Sequence, residues 1–105
     1  MIKIEIFKNR DGKISGYEVT GHSGTAARGE DIICAGVSAL AQSALWGIGE
    51  HLHREIDYEV ASGKLSMRLR GASDDLTEAV LQPMLYGMRE IEKLSPKAVR
   101  INERQ

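Results

Sequence analysis

Cysteine occurs once in the 105 residues, at position 34. No disulfide can form within the chain, so the composition fits a reducing compartment, or at least does not demand an oxidising one. Aromatic residues are scarce. Phe7, Tyr17, Trp46, Tyr58 and Tyr86 are all there are, which leaves the core to aliphatics and methionines. Neither sign of charge is in excess: fourteen basic and fifteen acidic residues give a net charge of −1. Without a dense basic footprint, direct nucleic-acid binding is not expected. No linker or low-complexity run divides the chain, and 42% hydrophobic with 28% charged content predicts a single soluble domain over 1–105. The opening MIKIEIFKN alternates and carries charge early, unlike a signal peptide or a membrane span. The expected location is the cytoplasm, with no membrane contact.

What is present is strongly patterned. Ile2, Ile4 and Ile6 recur at the period of a half-buried strand, Asn9-Arg10-Asp11-Gly12 supplies turn chemistry, and Ile14 to Thr20 reads as the returning strand. From Ile32 to about Leu52 the pattern is helical and dense in Ala, Gly and Ser, so close neighbours are expected on more than one side. Ser62-Gly63 marks a second hairpin between Ile56–Ala61 and Lys64–Arg70. Ser73 is the expected N-cap of a second helix, with Leu76, Val80, Met84, Met88 and Ile91 as its inward stripe and Pro83 inside it. Val99 and Ile101 suggest a short last strand. The order ββα-ββα-β predicts an α+β sandwich, two helices packed on a mostly antiparallel or mixed sheet.

The one cysteine lies in GHSGTAARGEDIICAGVSAL, residues 21 to 40. With Asp31 as the N-cap, Cys34 falls at the third helical position, near free backbone N–H groups and the positive helix end. A thiol so placed ionises more readily when an imidazolium is near. His22 is twelve residues back, and the intervening loop is long enough to fold it onto the helix start. Asp31 opposes that ionisation unless its charge is taken up by capping N–H groups or by His22. Ser38, one turn after Cys34, shares its face and could hold the sulfur or a reacting carbonyl. A small packing serine and an inert core cysteine are the plain alternatives.

Other motifs are excluded. Gly24 to Gly29 has the glycine spacing of a phosphate loop, but Glu30 and Asp31 stand where Lys and Ser/Thr are needed. Gly21-His22-Ser23-Gly24 has its second glycine one place too early for a serine nucleophile elbow. His51 and His53 are two apart on a helix and face differently, while Cys34 is roughly 25 Å away along the axis. No metal site and no cofactor are expected. Lys93, Lys97, Arg100 and Arg104 concentrate positive charge near the C-terminus, which keeps a rival in play: a non-catalytic binding module with Cys34 buried. A redox-sensing thiol is a third reading, weakened by the lack of a resolving cysteine.

Gly21-His22 followed by Gly29-Glu30-Asp31-Ile32-Ile33-Cys34-Ala35-Gly36-Val37-Ser38-Ala39-Leu40 resembles the signature of the bacterial ribosomal-processing cysteine protease family, Prp. Length and element order are similar too, so the likeness covers the whole chain, with Ser23 standing where the family commonly has alanine. The resemblance implies a homodimeric cysteine endopeptidase that removes the N-terminal extension of a large-subunit ribosomal protein, and it makes the non-catalytic rival a ribosome-associated binding module with a structural cysteine. It makes Cys34 the nucleophile and His22 the general base, with Asp31 and Ser38 in support. In such a mechanism the backbone N–H groups of Ile33 and Cys34 are candidate oxyanion donors. The loop from Ser23 to Glu30, hinged at Gly24 and Gly29, is expected to close over substrate.

Overall fold

The computed structural model describes residues 1–21 and 28–105, with the backbone alone given for 28–31. Strands β1 (Ile2–Lys8) and β2 (Ile14–Thr20) form the first hairpin. Its turn is held by Asn9, whose side-chain oxygen accepts the N–H groups of Asp11 and Lys13, both at 3.0 Å, while Gly12 takes φ +80°. Helix α1 (Arg28–Trp46) follows and runs into a π-helical turn, Gly47–His51. The second hairpin, β3 (Ile56–Ala61) and β4 (Lys64–Leu69), leads to α2 (Asp75–Leu94) and β5 (Val99–Arg104). The strands form one mixed sheet in the order β3-β4-β2-β1-β5, with only β1 and β5 parallel. The predicted ββα-ββα-β order, two helices on a mixed sheet, is the one observed.

Alternation decides which sheet face the helices cover. Ile2, Ile4, Ile6, Tyr17, Leu65, Met67, Val99 and Ile101 are buried, and they meet Val37, Ala41, Ala44, Leu45 and Ile48 of α1 and its π-helical turn, and Leu81, Met84, Leu85 and Met88 of α2. The segment Ile32–His51 is long and apolar enough to cross a membrane by length and composition. In this fold its inward residues belong to the core between sheet and helices. The small residues of α1 find the expected second neighbour in α2. A Cβ on Gly47 would stand 2.9 Å from Val80 Cγ1, and one on Gly87 would stand 2.9 Å from Leu40 Cδ1, so the two helices approach where side chains are missing. The third side of α1, with Ile32, Ala35, Ala39 and Trp46, faces solvent.

Two expectations for α2 are corrected. The N-cap is Asp74, not Ser73: its carboxylate accepts the N–H groups of Leu76 and Thr77, and its own N–H donates to Thr77 Oγ1. The Ser73 hydroxyl instead donates to the Ile14 carbonyl at 2.9 Å, tying the helix start to β2. The inward stripe is also rotated. Leu76 is 57% exposed while Thr77 is fully buried, because the cap satisfies the threonine hydroxyl and removes the usual cost of burying it. The helix continues through Pro83, which lies on the exposed side. There water can reach the carbonyl that a proline leaves without a donor.

Carboxylates set the acid limit of this fold. Lys8 and then Arg89 hold the Glu103 carboxyl below its ordinary range. Arg54, at 2.7 Å, and the Thr77 N–H do the same for Asp74. A depressed folded pKa gives stability that is present above the unfolded value and lost as protons are forced on. Thermal midpoints are therefore expected to hold from pH 7 down to about 5 and to fall below about 4, the ordinary carboxylate range. Glu103→Gln should flatten part of that fall; an unchanged acid limb in this variant would contradict the assignment.

Candidate active site

Helix α1 forms one wall of a groove and carries Cys34, Val37, Ser38, Ala41 and Gln42 along it. Ile2, Val19 and Gly21 lie between, and the β3–β4 hairpin supplies Val60, Ala61, Gly63, Lys64 and Leu65 opposite. The space is about 110 Å³. Cys34 is half-buried, packed against the core on one side and open to the groove on the other. That contradicts the sealed thiol required by the binding-module reading. Of the four C-terminal cations in that reading, Lys93 is engaged by Glu90 and Arg104 by Glu5.

Two contacts place the wall. Tyr17, fully buried in β2, donates its hydroxyl proton to the Ala41 carbonyl of α1 at 2.6 Å. The Gly21 N–H donates to the Gly63 carbonyl at 3.0 Å, which ties the end of β2 to the tip of the second hairpin. Gly21 lines the same groove as Cys34, so the chain position before His22 is already at the site. His22, Ser23 and Gly24 themselves, and the side chain of Asp31, lie outside the described residues.

The helix start corrects three expectations. Helix α1 begins at Arg28, so Asp31 is inside its first turn and is not the N-cap. Gly29 is helical and not a loop hinge. Cys34 stands in the second turn, where the N–H groups of Ile33 and Cys34 point back to the carbonyls of Gly29 and Glu30. Those two N–H groups are thereby withdrawn as oxyanion donors. Ser38 stands where expected, one turn beyond Cys34 on the groove wall, and its oxygen accepts a hydrogen bond from Gln42 Nε2 at 2.9 Å.

Sequence reasoning missed Tyr17, Gln42 and Lys64. Gln42 follows Ser38 by four residues and was open to the same spacing argument. Lys64 reaches the groove only because the second hairpin folds beside α1, which no local pattern announces. His51 ends the π-helical turn and His53, at φ +54°, lies beyond it. Among the described residues no three potential ligands gather around a metal position.

Cys34 thus stands on the wall of an open, largely apolar groove with hydroxyl and amide groups beside it, where a substrate can reach the thiol. A family model described as cysteine protease Prp matches residues 1–100. The ribosomal processing cysteine protease Prp of Staphylococcus aureus is 30% identical over 105 residues, covering 97% of this chain and 98% of that protein. Its counterpart in Bacillus subtilis is 40% identical over 45 residues, or 43% of this chain and 40% of that one. The crystal structure of the S. aureus protease with a substrate peptide has a TM-score of 0.88 at 27% identity, covering 98% of this chain and 99% of that one. A complex of it with a covalently linked product peptide gives 0.86 at 28% identity, with the same coverage. The chain belongs to the cysteine protease Prp family.

Proposed function

We propose that this chain is the endopeptidase that removes the N-terminal extension of a large-subunit ribosomal protein, with Cys34 as nucleophile and His22 as general base. The observation that carries the reading is Cys34 itself, half-buried yet open to a surface groove that Gly21 also lines. The thiolate attacks the scissile carbonyl carbon and a tetrahedral intermediate forms. It collapses to a thioester with the extension as His22 gives its proton to the leaving amine. His22 then takes a proton from water, the hydroxide attacks the thioester, and the thiol is restored. Ser38 lends a hydroxyl to this sequence and Asp31 supports the dyad. Ser23 and Gly24, beside His22 in the chain, contact the bound peptide.

The groove walls favour an apolar side chain next to the cut, since Ile2, Val19, Val37, Val60 and Leu65 all line the space. The exposed Ile32 and Trp46 on the outer side of α1 support a homodimer. The even charge balance supports a protein substrate with no direct nucleic-acid contact, and the single cysteine supports the cytoplasm. Incubating the purified chain with a peptide spanning an extended ribosomal-protein N-terminus tests the reading. One defined cut is expected, with a scrambled peptide left whole. An intact native peptide would refute it.

A further inference from the structure

A helical serine often donates its proton back to the carbonyl four residues earlier. For Ser38 that acceptor would be the Cys34 carbonyl, yet among the described residues its hydrogen-bond partner is Gln42, which donates from Nε2 at 2.9 Å. A hydroxyl has one proton and two lone pairs. With the amide on one lone pair, the proton is not shared with Gln42 and is left for an acceptor on another side of the oxygen. Cys34, Ser38 and Gln42 succeed one another at intervals of four residues, and all three line the groove. Gln42 is otherwise exposed, so packing does not explain its place.

We infer that Gln42 is a positioning residue, whose amide orients the Ser38 hydroxyl so that its proton faces the Cys34 sulfur and the carbonyl that sulfur attacks. The inference rests on Cys34 being the nucleophile. It needs no charge on either partner and acts through Ser38 alone. Gln42→Met keeps the length of the side chain and removes the donor. Gln42→Glu replaces the donor with an acceptor, which draws the Ser38 proton away from the groove.

Both variants, in the parental and the Ser38→Ala backgrounds, are to be compared by kcat and KM on the extended peptide and by the iodoacetamide alkylation rate of Cys34 at pH 7. Gln42→Met is expected to lower kcat about fivefold with KM unchanged, as suits loss of one oriented hydrogen bond. Gln42→Glu should lower it further. Neither should change anything once Ser38 is alanine, whereas a structural role for Gln42 would persist there. Parental kcat in Gln42→Met, or an equal loss in the Ser38→Ala background, overturns the inference. Should the parent leave the peptide whole, the protease reading fails by itself and alkylation decides: a rate slowed only when Ser38 is present supports the positioning role, and equal rates overturn it.

Discussion

Cys34→Ala is expected to reduce cleavage of the extended peptide by about 10⁴-fold or more, the scale on which loss of a nucleophile acts. The fold should scarcely notice. Cys34 is half-buried at the groove wall, and deleting one sulfur there removes about the contact of a methylene, on the order of 1 kcal/mol. Activity and stability therefore separate: no turnover with a thermal midpoint within a few degrees of the parent. His22→Ala should share the kinetic defect, since a thiol without its base is a slow nucleophile and has no acid for the leaving amine. The readout is product formation followed by mass spectrometry, alongside thermal unfolding. A variant lacking Cys34 that still clips at the same bond would end the account.

The second large effect is on stability. Tyr17→Ala is expected to cost about 3–5 kcal/mol, the range for emptying a large aromatic site in a core. Tyr17 is fully buried between β2 and α1, and its hydroxyl is bonded to the Ala41 carbonyl. Tyr17→Phe keeps the ring and removes only that hydrogen bond, so about 1 kcal/mol is expected. Urea midpoints of the two variants measure this directly. A pH signature accompanies it. Burial pushes the Tyr17 phenol well above its ordinary value, so the folded state keeps the neutral form where the unfolded chain ionises. That stability is present below about pH 10 and is lost as pH rises further. The alkaline fall should be shallower in Tyr17→Phe, and an identical limb would contradict the assignment. Because Ala41 lies on the same groove wall as Cys34, loosening this anchor should also blunt activity in the surviving folded fraction.

Periodicity and turn chemistry made most of this fold legible. Asn9 and Gly12 announce the first hairpin and Gly63 the second, since each turn needs those residue types for backbone reasons. The two errors in the helices share a cause. Asp31 and Ser73 look like caps because capping residues also occur inside first turns and just before them. Which one caps is decided by where the chain arrives from the preceding strand. Leu76 was expected inside because apolarity was the only cue, whereas the cap makes Thr77 the cheaper residue to bury. Helix α1 starts inside a polar, glycine-bearing run, where sequence signals favour a loop. That single shift moved Cys34 from the first turn to the second and removed two backbone donors from the site.

The site was legible in part. Cys34 and Ser38 were marked by helical spacing, and the structure places both on one groove wall. The opposite wall is tertiary. Val60, Ala61, Lys64 and Leu65 belong to a hairpin some thirty residues further along the chain, brought there by β4 pairing with β2. No pattern around the cysteine could show that Gly21 would be tied to Gly63 and so set beside the thiol.

The most direct test is the mass of the intact protein, quenched in acid during turnover of the extended peptide. The account predicts an adduct equal to the removed N-terminal segment, joined as a thioester to Cys34 and released by hydroxylamine. Cleavage that proceeds with that adduct on another residue, or with Cys34 still open to alkylation throughout turnover, would contradict it.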